Sequence, residues 1–438
     1  MQNLTLAMLV VVTTIEFFVK GDYWGRWAFL PGIAQYLPEM FGVAATIVVI
    51  LLGTRTRFQF VRPQYWIVFG ALVVTIVCGV LVNGVDSGPI FAGIRTYLRA
   101  IPLFLLPAVI AYTDRQVQEQ LKLLLAIALI QIPLAVEQRV KTGGGGVGAV
   151  TGDFTFGTLM ISSSLSIFLI CCICIVAALY VRKRLKLWQF VLLFVLLVFP
   201  TTINETKASL FFLPIGLLFA FVAASKPGRR AKSIAVVSGL LVLFVAVFFP
   251  AYDYLVEGRT YGRPLAETLG NPEVLERNLW KKRDVGTTAN EGGRVDSIVV
   301  SLQSVSSDPS HLAFGYGIGN VSKSALGRGF TGQYFSKFDP FLTTAFARVV
   351  FELGVLGMAL VYAFMWLIYV DARAVARRRD DMVGALAAGW TGVVAIIVLS
   401  TVYKDLIIQT SLPYLFWYFS GLIAAARMRI ARAEGYGR

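Results

Sequence analysis

Few side chains in this sequence could do chemistry, and most of those are cations. Lys207 stands in Glu205-Thr206-Lys207 at the head of an apolar run, and Arg294 stands in Gly292-Gly-Arg-Val-Asp296. After Arg294, the residues Val295, Ile298, Val299, Leu302 and Val305 recur at the spacing of an amphipathic helix. Each of the two cations therefore opens a helix whose N-terminus is already electropositive, which costs stability unless an anion compensates. Two such starts suggest an anionic ligand, such as a diphosphate, held as helix N-termini hold phosphates. Arg95 and Arg99 stand one turn apart in Ile94-Arg-Thr-Tyr-Leu-Arg99, and Arg348 and Glu352 stand at i,i+4, where they can satisfy each other. For these three arginines, ligand contact competes with headgroup contact or a local ion pair. Gly315-Tyr-Gly-Ile-Gly319-Asn320 lacks the Lys-Ser/Thr of a phosphate-binding P-loop, so it is either a turn or a substrate-lining loop. Cys78, Cys171, Cys172 and Cys174 all fall inside apolar runs, and the last three lack the His or acid partners of a metal site, so neither metal nor disulfide is expected.

The elements that must position these residues are membrane helices. Of 438 residues, 57% are hydrophobic and 15% charged, where soluble domains carry about 25% charged residues. The mean hydropathy is +0.72. So apolar a chain cannot keep the polar surface that a water-soluble fold needs, and disorder and collagen-like repeats are excluded as well. Runs free of Asp, Glu, Lys and Arg span 65–85, 154–181, 187–204, 208–225, 233–252, 353–370, 382–403 and 406–426. Shorter runs at 1–15, 40–54, 100–113 and 123–136 each gain a turn if flanking polar residues lie at the interface. The expectation is an all-α polytopic membrane protein of about twelve transmembrane helices. With the N-terminus inside, the inner segments hold 21 of the 40 basic and six of the 25 acidic residues, and the outer side holds 19 of each. The whole net charge of +15 then sits on the cytoplasmic face, as the positive-inside rule requires. The pI of 9.7 is thus a topology signal, and nucleic acid is not an expected partner.

One large polar segment, 251–340, interrupts the pattern between spans nine and ten. Three regions follow: spans one to nine in 1–250, a periplasmic loop in 251–340, and spans ten to twelve in 341–438. Within the loop, Arg263 to Lys282 reads as a broken helix restarting at Asn271-Pro272. The helix after Arg294 is expected on the bilayer surface or the bundle mouth. Gly143 to Gly146, with Gly148 and Gly152, reads as a connector between spans five and six.

This layout resembles the superfamily of O-antigen ligases and O-antigen polymerases, bacterial envelope glycosyltransferases. Twelve spans, two inner termini and one long outer loop match along nearly the whole chain. Locally, Thr206-Lys207-Ala208 resembles the family's S-R-x segment, Gly293-Arg294 its G-R segment, Phe314-Gly-Tyr-Gly-Ile-Gly319 its G-x-G-x-G segment, and Glu352-Leu-Gly-Val-Leu-Gly357 its E-x-G-x-x-G segment. The resemblance implies an inverting, metal-independent and cofactor-free transfer of glycan from an undecaprenyl diphosphate carrier in the bacterial inner membrane. Lys207 and Arg294 would grip the diphosphate, with Arg95, Arg99 and Arg348 around it. Membrane lipid and other polysaccharide assembly proteins would be the further partners. Tyr316, with Tyr261, Trp280, Tyr334 and Phe335, would stack on sugars or anchor the interface.

Ligases place His-Asn eleven residues before the first Gly of G-x-x-G, where this chain has Thr343-Thr344. That departure favours a polymerase joining lipid-linked repeat units over a ligase acting on lipid A core. The sole histidine, His311, is not expected to be a general base. Asp339, four residues before Thr343, is the candidate base, with Glu205 in reserve; the competing role for Asp339 is to cap span ten with Pro340 in the first turn. A lipid-linked glycan transporter is the alternative of another class, and it would show broken helices with ionisable groups near the bilayer midplane.

Overall fold

The structure, a computed structural model, describes residues 2–22, 25–56, 58–142, 155–204, 206–226, 228, 230–256, 271, 273 and 293–435. Its regular elements are all helical, with no strand among the described residues. In chain order they are α1 (Gln2–Lys20), α2 (Leu37–Thr56), α3 (Pro63–Asn83), α4 (Ser87–Leu98), α5 (Ile101–Val109), α6 (Asp114–Thr142), α7 (Ser162–Val181), α8 (Leu187–Ile203), α9 (Ser209–Ala224) and α10 (Arg230–Val256). After the polar segment come α11 (Arg294–Val305), α12 (Pro309–Phe314), α13 (Phe335–Phe338), α14 (Ala345–Arg378), α15 (Met382–Ser400) and α16 (Ser411–Gly435). Each of the twelve apolar runs falls on a helix. Among the described residues, eight helices are long and apolar enough to cross a bilayer alone, and α4 with α5, bent by 46° at their junction, can form a ninth. Twelve crossings would need α8, α9 and α16 as well.

Local chemistry sets the boundaries. Pro63 opens α3, where its missing N–H is no loss, and Gly84 ends it in the left-handed conformation. Thr344 caps α14 by accepting from the Ala347 N–H, and Asp381 caps α15 by accepting from the Gly384 N–H. Helix α7 is buried along almost its whole length and packs against α15 and α9. Glycines allow that approach: a Cβ on Gly389 of α15 would lie 2.7 Å from the Ile175 Cα, and one on Gly216 of α9 would lie 2.8 Å from the Cys174 Sγ. Small residues at crossings are how membrane helices gain dispersion contact when lipid offers no hydrophobic drive.

Segments that the charge reading assigns to one side meet at one end of the bundle. Arg62 pairs with Asp371, Arg182 with Asp380 and Arg378 with Glu434, while Gln2 donates to the Gln116 carbonyl and Arg429 to that of Pro107. This is the inner end. The other is the outer end, where the Gln138 side chain receives the Phe156 N–H and Arg95 meets Glu39.

The polar segment departs from expectation in two ways. Helix α10 continues past 250 to Val256. The expected broken helix over 263–282 and the glycine run 143–152 lie outside the described residues, apart from Asn271 and Glu273. Helix α11 starts at Arg294 as its spacing predicts, but it buries Ser297, Ser301 and Val305 against α14 and the turn before it. Leu302 is exposed, and Val295, Ile298 and Val299 are only partly covered. The reason is the same close approach: two serines one turn apart let α11 lie nearer to α14 than larger side chains would, with the Ser297 hydroxyl 2.6 Å from that of Thr343.

Two breaks shape the outer end. The first is the α4–α5 bend, with Arg99 at its corner. The second interrupts α14 at Gly354, whose φ of 67° and ψ of −171° leave the helix. Beside it the Gly315–Gly319 loop is threaded so tightly that a Cβ on Gly354 would lie 2.3 Å from the Ala313 oxygen, and one on Gly319 2.0 Å from the Pro89 oxygen. The Tyr316 N–H donates to the Phe351 carbonyl at 2.7 Å, meeting an acceptor next to the break. The glycines are therefore a joint between α4 and α14.

Candidate functional site at the outer mouth

The turn 401–410, between α15 and α16, organises the outer end. Arg294 donates from Nε to the Tyr403 carbonyl at 2.9 Å, and its guanidinium lies 4.2 Å from the centre of the Tyr403 ring. Arg99 donates from Nη2 to the carbonyls of Ile408 at 3.1 Å and Gln409 at 2.8 Å. Arg348 pairs with Asp405. The turn is itself fixed from behind: Asp405 N–H donates to Thr343, the Phe346 N–H to Thr401, and the Ser164 hydroxyl to the Gln409 side chain at 2.5 Å.

Arg348 and Glu352 do not pair directly, contrary to the i,i+4 expectation. The Ser322 hydroxyl lies between them, receiving from Arg348 and donating to Glu352, while Asp405 supplies the direct carboxylate. Arg348, Asp405 and Glu352 are 6%, 3% and 1% exposed. A buried arginine of this kind is tolerable only with its carboxylate in place.

Arg95 meets Glu39 through two bonds, 2.8 Å from Nε and 2.5 Å from Nη2, and Arg99 approaches the same carboxylate at 3.5 Å. The local ion pair is thus realised for both. The same residues also face open space: Glu39, Arg95, Arg99, Lys323 and Glu352 line one cavity of about 230 Å³ at the outer end.

Lys207 lies two residues before α9. The turn holding it is pinned by Asn204, whose amide donates to the Ser162 carbonyl at 3.0 Å and the Ser166 hydroxyl at 2.8 Å, and whose side-chain oxygen receives the Thr206 N–H. Lys207 Nζ stands 5.6 Å from the centre of the Tyr252 ring on α10. On α9, Phe212 packs edge-on against Tyr403 at 5.4 Å, and Tyr403 carries Arg294 on its ring. One aromatic scaffold therefore connects the α9 start to the α11 start. Glu205 lies outside the described residues.

Asp339 lacks the capping role that competed with its role as base, and Tyr316 lacks the exposed ring faces expected of it. Asp339 does not cap span ten: it is exposed in a separate short 3-10 turn, Asp339–Phe341, while Thr344 caps the helix. Tyr316 is buried among His311, Tyr334 and Phe338, and its hydroxyl donates to the Ser304 carbonyl at 3.1 Å, so its ring faces are taken by protein. Burial raises its phenol above the usual pKa. His311 Nε2 is 2.9 Å from the Asn83 side-chain oxygen, in the same packed joint. In the turn before it, Asp308 accepts from the Ser310 hydroxyl and from the backbone N–H groups of Ser310 and His311, bonds that hold its carboxyl below the usual range.

Sequence reasoning passed over Tyr403, Asp405, Ser322 and Glu39 as site residues. A signal existed for the first two: Lys404-Asp405 is the charged break between two long apolar runs, so the turn must lie where water or partners meet it. No group of three or more potential metal ligands occurs among the described residues. Comparison with models of known protein families gives no match, and neither does comparison with curated protein sequences.

Proposed function

We propose that the protein is a polysaccharide polymerase, joining undecaprenyl-diphosphate-linked oligosaccharide units by inverting glycosyl transfer at its outer mouth in a bacterial inner membrane, with both termini cytoplasmic. The observation that carries this reading is the aromatic scaffold of Tyr403 and Phe212, which ties the Arg294 helix start to the α9 start bearing Lys207. In such a reaction an acceptor hydroxyl attacks the anomeric carbon, the carbon–oxygen bond to the diphosphate breaks, and negative charge grows on phosphate oxygens. Fixed cations at the point where that charge develops lower the barrier. Lys207 and Arg294 are proposed to serve there, with Arg95 and Arg99 in the adjoining cavity. Arg348, enclosed by Asp405 and Ser322, is better suited to holding the turn 401–410 than to touching substrate. Asp339, exposed at the outer end, is proposed as the base that accepts the hydroxyl proton.

The breaks in α4–α5 and α14 favour a second reading, a lipid-linked glycan transporter, since discontinuous helices often mark transport sites. Depth argues against it. The apolar run 353–370 offers about 27 Å of rise at 1.5 Å per residue, close to the whole of a hydrocarbon core of about 30 Å. Arg348 and Glu352 then lie at the outer boundary, away from the midplane. The deciding experiment is incubation of the purified protein with a defined lipid-linked oligosaccharide. A ladder of longer products is expected, a single addition to lipid A core would indicate a ligase, and transport without new bonds would defeat the proposal.

A further inference from the structure

A larger cavity lies at the opposite end of the molecule. It has a volume of about 890 Å³ and is bounded by the C-terminal parts of α9 and α14 and by Arg182 just beyond α7. Six cations line it: Arg182, Lys226, Arg373, Arg377, Arg378 and Arg379, against one acid, Asp380. Three are neutralised within the protein. Arg182 pairs with Asp380 at 2.9 Å, Arg378 with Glu434 at 3.1 Å, and Arg379 with Asp381. Arg182 also donates to the carbonyls of Ala376 and Arg379, which closes the C-terminus of α14. Its Nε is nevertheless buried with no hydrogen-bond partner. Among the described residues, Lys226, Arg373 and Arg377 have no carboxylate within ion-pair distance. Arg373 and Arg377 are exposed and stand at i,i+4 in one stripe with Tyr369, a like-charge arrangement that destabilises a helix unless an anion joins it.

The other wall is apolar. Leu218, Phe219 and Val222 of α9 face the cavity and are exposed. Phe219 meets the Tyr369 ring edge-on at 5.9 Å, and Trp366, itself 63% exposed, stacks on Tyr369 at 5.6 Å. The cations sit at the ends of helices that cross the bilayer in the reading above, and the apolar wall descends from them along α9 toward the hydrocarbon. A soluble anion would satisfy the first feature and leave the second wet. We infer that this cavity binds an anionic glycerophospholipid of the cytoplasmic leaflet, its phosphate held by Arg373, Arg377 and Lys226 and its acyl chains lying along Leu218, Phe219 and Val222. Basic pockets between membrane helices at the cytoplasmic face are suited to such headgroups. The inference does not depend on what happens at the outer mouth.

The test is native mass spectrometry of the full-length protein in neutral detergent, titrated with phosphatidylglycerol, with phosphatidylcholine of the same chains, and with inorganic phosphate. Phosphatidylglycerol should bind more tightly than phosphatidylcholine by about tenfold. Arg373→Gln with Arg377→Gln should abolish the difference, while Arg115→Gln with Lys122→Gln, which removes two exposed cations of the inner end away from the cavity, should leave it intact. If the arginine pair disturbs folding, Lys226→Gln on the facing wall must weaken the preference in its place. Equal binding of the two lipids, equal loss in the control pair, or full displacement of phosphatidylglycerol by millimolar phosphate would each overturn the inference, the last by making the ligand a free anion.

Discussion

Lys207→Ala and Arg294→Ala should each abolish chain extension while leaving the detergent-solubilised protein folded, because neither side chain fills a buried space. Lys207→Arg should keep part of the activity, since charge is retained while a planar fork replaces a compact ammonium; full activity of either alanine variant would remove that residue from the site. At Asp405 the expectation concerns stability. Asp405→Asn leaves the buried Arg348 without its carboxylate and should cost about 3–5 kcal/mol, whereas Arg348→Met with Asp405→Leu should recover much of the loss. Thermal melting of the three proteins measures this, and a melt unchanged by Asp405→Asn would mean that the pair is unimportant. His311→Ala should retain most activity and lose about 1 kcal/mol with its bond to Asn83. Asp339→Asn should be severely impaired, and since Asp339 does not cap α14, a fully active variant would refute its role as base. At this scale the sequence revealed the cations but not their partners. Arg348 and Glu352 looked like a pair because i,i+4 spacing is visible in one dimension, whereas Ser322 and Asp405 reach them from other elements.

Helices were the most legible feature, because a bilayer forces every spanning segment to satisfy its backbone internally and to be apolar outside. All twelve apolar runs fall on helices, yet the break inside α14 was not visible in the hydropathy, since Gly354 interrupts the backbone without adding a charge. The buried face of α11 was misread for a related reason. In water the apolar stripe marks the core, but beside lipid the serine stripe can face inward for close packing while valine and leucine face the bilayer. The distinction can be measured. Ser301→Leu should wedge α11 from α14 at a cost of about 1–3 kcal/mol, while Leu302→Ser should stay within about 0.5 kcal/mol of the parent. Equal melting losses in both variants would contradict the observed packing.

For the whole molecule, the charge asymmetry predicts that a cysteine replacing exposed Ser336 is labelled from the periplasm in a cysteine-free background, and that one replacing exposed Gly228 is not. Labelling of Gly228 from outside would invert the topology, and with it both proposed sites. The gathering of the basic segments at one end of the molecule was readable because it depends on sums over many residues, which tolerate local errors. The convergence of Arg99, Arg294 and Arg348 on the turn 401–410 was not, because it joins residues far apart in the chain. That convergence also sets an order of events during synthesis, which proceeds from the N-terminus. Arg99, Arg294 and Arg348 enter the membrane before the carbonyls and the carboxylate they need have been translated. The outer mouth therefore stays open until the final pair of helices is threaded, and a nascent chain halted after α14 would be inserted and inert.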